Sequence, residues 1–372
     1  MSFLTPYQES IKIPPEPNEI EVCIFGAGFG EGILIHVGNN EWIVVDSCRF
    51  SGINGPAALH YLQTLNIETT HAVKLIVATH WDDDHIRGIS EIVKACGSAK
   101  IAMSAAINDK KFIKLVVDSP LSKAVSLRQR ANTGISEFNQ IFHHLKSQSK
   151  HIDYALNNKM LWKSESLNST DIVSLSPNSQ IFEKAIQSII SQIPQGNVPV
   201  GSIKAPKPNY TSVVLWVRAG EERILLGADL EESSHYKGWS ILLEDKMFID
   251  KKSNLYKVAH HGSKTGEHSG IWTDLLTENP LCIIAPWTLG GNLLPTPDDI
   301  QRTVSRTDNL YLAHQFSEST PSTSKEKHVK RALERIKAKP LLKEFGMVRL
   351  RKKFNETEWK SECFGSAIKV NI

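Results

Sequence analysis

The stretch Thr79-His-Trp-Asp-Asp-Asp-His-Ile-Arg-Gly88 decides how the rest of the chain is read. It places His80, Asp82, Asp84 and His85, with Asp83 as a spare, within six residues. Imidazoles and carboxylates are the side chains that hold divalent metals. The run before it, Val73-Lys-Leu-Ile-Val-Ala78, reads as a buried β-strand. Few structural demands put so many ligand groups at one strand end, whereas a pair of divalent ions does.

Working outward, the same pattern recurs. Asp46 closes the run Ile43-Val-Val-Asp46, and Asp229 closes Arg223-Ile-Leu-Leu-Gly-Ala-Asp229. His260 and His261 close Leu255-Tyr-Lys-Val-Ala-His-His261. Each ending alone has an ordinary explanation, because an Asp after a strand commonly turns or caps the chain. Together they point to a metal site, since the ends of adjacent strands converge on one edge of a sheet and dispersed positions can then build one centre.

The bulk properties are those of a globular protein. The chain has 372 residues, of which 41% are hydrophobic and 22% charged, enough for a sizeable core. A net charge of +3 is too mild to argue for nucleic-acid binding or against it. The five cysteines are scattered with no C-x-x-C, which reads as buried free thiols in a reducing compartment. The N-terminus shows no secretory signal and no run approaches ~18 apolar residues, so the expectation is a soluble, cytoplasmic protein with no membrane partner.

The hydrophobic pattern alternates strands and helices. Strands are expected at Glu21–Phe25, Gly32–Val37 and Glu41–Asp46, with a Gly-Asn-Asn turn at 38–40, then a helix over 54–65, the strand before the opening motif and a helix from just after His85. Residues 108–160 are polar with helical periodicity and read as a helical insertion. Strands return at Thr170–Leu175, Ser212–Val217, Arg223–Leu226, Leu255–Val258, Cys282–Ala285, Met347–Arg351 and Ala367–Val370. Residues 290–340 read as less regular, with a charged amphipathic helix over 325–339. A single domain over 1–372, built as a four-layer α/β/β/α sandwich, fits this order.

On these residues the chain resembles the metallo-β-lactamase-fold superfamily, whose signature is H-x-H-x-D-H after a strand. Here the string is His80-x-Asp82-x-Asp84-His85, with Asp in place of the second His, a variant similar to the ComEC-like branch, the hydrolase domain of competence proteins. Gly28-Phe-Gly-Glu-Gly-Ile-Leu-Ile35 is similar to that branch's G-x-G-D-A-I-L-I, with Glu31 in place of Asp. Asn209-Tyr-Thr-Ser-Val-Val-Leu215, Leu225-Leu-Gly-Ala-Asp-Leu-Glu231 and Lys257-Val-Ala-His-His-Gly-Ser-Lys264 resemble its N-x-x-S, D-L-E and H-H-G-S blocks. The likeness spans roughly 20–105, 165–290 and the last ~30 residues. Arg87 stands where a Gly often follows, and the insertion has no counterpart.

The resemblance implies two divalent ions. His80 and Asp82 would hold one. Asp84, His85 and one of the His260–His261 pair, with His260 preferred, would hold the other. Asp229 would bridge them, and Asp46 would orient ligands from behind. Asn209 or Ser212 lies where the superfamily often supplies a further His. A carboxylate in place of an imidazole favours harder ions, so Mn²⁺ stands beside Zn²⁺. The expected nucleophile is a metal-bridged hydroxide, with Asp84 helping to deprotonate water. Ser263 and Lys264 follow the His pair, and Lys264 could hold a substrate phosphate as a point charge. The expected activity is that of a phosphodiesterase or nuclease, with nucleic acid or another phosphodiester as partner. The alternatives are a lactone or phosphoester hydrolase, or a metal-bound subunit of a defence or stress complex. The insertion could cap the pocket or dock a protein partner.

Overall fold

In a computed structural model, the described residues are 6–105, 133–164, 169–190, 208–233, 238–315 and 345–371. Strands β1 (Glu19–Gly26), β2 (Glu31–Val37), β3 (Trp42–Asp46), β4 (Val73–Ala78), β5 (Lys100–Ser104) and β6 (Ile152–Ala155) form one sheet with β16 (Gly346–Lys353) and β17 (Lys360–Gly365). Its order is β17-β16-β1-β2-β3-β4-β5-β6. Strands β7 (Lys159–Lys163), β8 (Thr170–Ser174), β9 (Leu215–Ala219), β10 (Glu222–Leu226), β11 (Ser253–Lys257), β12 (Leu276–Ile284), β15 (Leu310–Leu312) and β18 (Ile368–Lys369) form the other. Its order is β18-β15-β12-β11-β10-β9-β8-β7.

Side-chain alternation along the strands builds the layers. Ile33, Ile35 and Val37 of β2 and Leu255 of β11 lie in the core between the sheets. Leu34 and Cys23 face outward, under the helices Ala57–Thr64, Ile89–Ala95 and Thr133–Ser147. Trp216, Leu225 and Tyr256 face the opposite way, under the helix Gly238–Glu244 and the turn Ile271–Leu275. The result is the four-layer α/β/β/α sandwich. No helix among the described residues is long and apolar enough to cross a membrane. All five cysteines are free, four of them buried and Cys363 exposed.

Three expectations need correction. The insertion is helical over Thr133–Ser147, but its end forms the edge strands β6 and β7. Those strands are short and partly exposed, as edge positions often are, and show no clean alternation of apolar and polar residues. The segment after 290 is more ordered than expected. It holds the hairpin of β13 (Trp287–Leu289) and β14 (Asn292–Leu294), the helix Pro297–Val304 and β15. That helix opens on Thr296-Pro-Asp-Asp299 with a reciprocal capping box, a readable start signal. The expected helix at 325–339 lies outside the described residues. Finally, one helical turn, Asp83–Ile86, already contains His85, and the chain breaks at Gly88 (φ +90°) before the helix Ile89–Ala95.

The insertion helix is part of the sandwich. Phe138, Ile141 and Leu145 are buried against the first sheet's outer layer. Glu137 accepts from the backbone N–H of Gly88 and of Ser90, each at 2.9 Å, and so caps the helix that follows the metal-capable motif. Phe138→Ala is expected to lower unfolding free energy by about 3–5 kcal/mol, the usual cost of emptying a buried aromatic site. Denaturant titration checks this. A loss below about 1 kcal/mol would mean that the helix is not packed as described.

Candidate metal centre

Parallel pairing brings the ligand groups together. Strands β3 and β4 run parallel in one sheet, and β10 and β11 do so in the other. Their C-terminal ends meet at one rim between the sheets. Asp46 ends β3, Thr79 and His80 follow β4, Asp229 follows β10, and His260 and His261 follow β11. Several of these turns are left-handed without glycine: Asp46 (φ 59°), Ala228 (φ 44°), His260 (φ 47°) and His261 (φ 53°). Such conformations cost about 1–3 kcal/mol each and gather at functional sites.

A hydrogen-bond relay fixes how the rings point. The Asp46 carboxylate accepts from the Thr79 backbone N–H (2.8 Å) and from the Thr79 hydroxyl (2.7 Å). With its proton so placed, Thr79 Oγ1 accepts from His80 Nδ1 at 2.9 Å. His85 Nδ1 donates to Asp46 at 2.8 Å, and His261 Nδ1 donates to the Ala285 carbonyl at 2.8 Å. All three rings therefore donate through Nδ1 and present Nε2 to one space, the arrangement behind metal-binding histidines.

Three of the atoms facing that space lack a hydrogen-bond partner. His80 Nε2, His85 Nε2 and Asp229 Oδ1 are buried without a hydrogen bond. Asp229 Oδ1 lies 3.3 Å from His85 Nε2, and its Oδ2 lies 3.3 Å from His261 Nε2 and 4.0 Å from His80 Nε2. Asp84 Oδ2 is 3.2 Å from His261 Nε2, and Asp82 Oδ2 is 3.9 Å from His80 Nε2. Unpartnered buried donors and acceptors are costly, and a divalent cation would satisfy them all at once. The residues present fit such an ion.

The electrostatics agree. Burial, then the charge on His85, presses His80 down to about 4. Partial burial, then the negative charges of Asp84 and Asp229, push Asp82 up to about 7. Burial opposes ionisation of the remaining groups but is overcome. Asp229, Glu31 and Asp46 raise His85 well above the usual imidazole range. Asp229, with help from Asp84, raises His261 to about 10. The two imidazoles in turn hold Asp84 and Asp229 below the usual carboxylate range. In the metal-free protein, protons on His85 and His261 take the place that a cation would occupy.

Of the histidine pair, His261 faces the cluster, and His260 does not. His260 Nδ1 lies 2.9 Å from Thr265 Oγ1 and 3.3 Å from Glu231, and its Nε2 lies 3.2 Å from the Asn209 amide. Consecutive left-handed residues turn the two rings apart, which periodicity does not foretell. Asn209 thus serves the His260–Glu231 corner, donating to Glu231 at 2.9 Å. Ser212 is buried, its carbonyl accepting from Ser176 at 2.6 Å. Ser263 caps the turn at Thr265, and Lys264 is exposed on that turn. Trp287 stacks on the His261 ring at 6.2 Å.

Sequence reasoning missed three contributors: Thr79, Glu31 and Lys257. Glu31, His85, Asp229 and His261 each offer a ligand atom within 4.8 Å of the others. Strand parity was the available signal. Glu31 shares its face of β2 with Ile33, Ile35 and Val37, and Lys257 shares its face of β11 with Leu255.

No family model and no curated protein matches the chain. Solved structures do. The metallo-β-lactamase fold protein YhfI from Bacillus subtilis is similar over 79% of this chain and 95% of its own, at 11% identity and a TM-score of 0.36. Zn²⁺-bound PqqB from Methylobacterium extorquens covers 55% of this chain and 64% of its own, at 12% identity and a TM-score of 0.26. The flavodiiron protein from Giardia intestinalis covers 57% of this chain and 34% of its own, at 11% and 0.27. Two facing mixed sheets, with helices on both outer faces, carry the His/Asp cluster at their strand ends.

Proposed function

We propose that this chain is a metal-dependent hydrolase of the ComEC-like kind, holding two divalent ions, Zn²⁺ or Mn²⁺, and acting on a phosphodiester, nucleic acid foremost. The observation that carries the reading is the convergence of buried, unpartnered Nε2 and carboxylate atoms on one space. His80 and Asp82 would serve one ion, and Asp84, His85 and His261 the other, with Asp229 reaching both. Three carboxylates stand beside three imidazoles in this set, a share of oxygen ligands that suits Mn²⁺ as well as Zn²⁺. Bound there, the ions would supply Lewis acidity, lowering the pKa of water and balancing charge on an attacked phosphate.

The chain's own residues do the rest. Asp46 and Thr79 hold His80 and His85 in the donating tautomer. Asp84 is placed to accept a proton. Asp82 is the open side of the cluster, with 41% of its side chain exposed, and marks where substrate enters. Lys264, exposed on the turn after His261, would meet a phosphate there.

The test is a panel of single- and double-stranded DNA, RNA, bis-p-nitrophenyl phosphate, a lactone and a phosphomonoester, each with Mn²⁺ or Zn²⁺. Metal-dependent diester cleavage is expected, falling by about 10²–10⁴-fold in Asp84→Ala. Cleavage of the lactone or monoester alone would move the substrate to a small molecule. Bound metal with no activity on the panel would leave the ions a structural role.

A further inference from the structure

A buried ion pair lies directly behind the histidines. Lys257 Nζ is 2.5 Å from Glu31 Oε1, and neither side chain is more than 1% exposed. Glu31 Oε1 lies 3.7 Å from His85 Nδ1, and its Oε2 lies 3.4 Å from His261 Nδ1. Lys257 also donates to the carbonyl of Ala228, the residue before Asp229, at 3.3 Å. One pair therefore touches the segments that carry His85, His261 and Asp229. It also ties the sheets together. Glu31 opens β2, where the next residue, Gly32, pairs with Asp46, and Lys257 ends β11 beside Leu226 of β10.

The side on which Glu31 approaches decides its role. His85 and His261 turn Nε2 towards Asp229, so the Nδ1 edges that Glu31 approaches are the backs of the rings. Each Nδ1–H already has a partner, Asp46 or the Ala285 carbonyl. Glu31 is thus not needed to complete a hydrogen bond. What it adds is negative charge behind two imidazoles, which strengthens donation from the opposite nitrogen. Lys257 balances that charge and anchors the turn leading to Asp229. A buried ion pair is a poor source of net stability, so the fold alone gives little reason to place one here.

We infer that Glu31 and Lys257 are a positioning pair that sets the metal affinity of His85, His261 and Asp229. The inference rests on the proposed metal centre. The test uses the full chain as wild type, Glu31→Gln and the double variant Glu31→Gln/Lys257→Met. A control double variant, Glu222→Gln/Lys352→Met, neutralises another buried inter-sheet pair (2.6 Å), at the end of β10 away from Asp229. Affinities for Zn²⁺ and for Mn²⁺ are measured by chelator competition, and stability of the metal-free protein by denaturant unfolding.

Glu31→Gln is expected to weaken metal binding about 10–100-fold. The double variant should recover stability, because no charge is left unpaired, yet keep the loss of affinity. The control should bind metal as wild type does. Wild-type affinity in the Glu31→Gln/Lys257→Met variant would overturn the inference alone, as would an equal loss in the control. A wild-type chain that binds neither ion would overturn the metal centre and the inference with it.

Discussion

Asp229→Asn should abolish tight metal binding and lower turnover by about 10³-fold. The reasoning starts from its position. Asp229 is buried, with one carboxylate oxygen 3.3 Å from His85 Nε2 and the other 3.3 Å from His261 Nε2. No other carboxylate in the cluster contacts both rings through opposite oxygens at this distance. An amide of the same shape keeps the packing but loses the charge and one acceptor. Lewis-acid stabilisation by a bound ion contributes several kcal/mol to a transition state, and about 4 kcal/mol corresponds to about 10³ in rate. Asp83→Asn is the matched control. Its half-buried carboxylate is 4.0 Å from Arg87, in the helical turn that carries His85. Losing a partly solvated pair of that kind should change affinity and rate by no more than about fivefold. Metal content after dialysis and steady-state rates on the diester substrate decide the matter. An Asp229→Asn protein that keeps wild-type metal content would remove Asp229 from the ligand set.

Much of this centre could be read from the chain because strand periodicity ends where the chemistry begins. Val73–Ala78 is apolar but for Lys74, so His80 and the acidic residues after it stand out, and Asp46 and Asp229 likewise end mostly apolar runs. The choice between His260 and His261 could not be read that way. It is made by two consecutive left-handed residues before Gly262 (φ +82°), a backbone geometry that leaves no periodic trace. Glu31 and Lys257 sat in plain view as charges on inward-facing positions. A glycine-rich turn and a basic residue within a strand read locally as surface features, and only pairing across the two sheets shows that each charge neutralises the other.

The outer strands were obscured for a different reason. Lys360–Gly365 is largely exposed and polar, and Lys159–Lys163 carries Lys at both ends. Edge strands carry such residues to discourage further pairing, and this erases the alternation that marks a strand. The four-layer arrangement was legible because its central strands are buried on both faces. Its width was not.

Metal affinity should rise with pH above neutrality, by up to about 100-fold per unit, because two imidazoles must each release a proton. In the metal-free protein the carboxylates raise His85 well above the usual imidazole range and His261 to about 10, so both are protonated at neutral pH. The ion held by His85 and His261 competes with those protons for the same Nε2 atoms. Asp82, pushed up to about 7, adds part of a third proton below neutrality, and the dependence should steepen there. Stability of the metal-free fold has the opposite sign. A raised imidazole stabilises the fold fully below its unfolded value of ~6.5, and that contribution is lost as pH rises through the folded value. The lowered Asp84 and Asp229 contribute above their unfolded value of ~3.9 and lose that contribution only in acid. Weak binding at about pH 6 would therefore arise from proton competition rather than from unfolding. Chelator competition across this range gives the slope. Calorimetric titration in buffers of different protonation enthalpy counts the protons released. An affinity that does not change with pH would mean that the ions do not bind at His85 and His261.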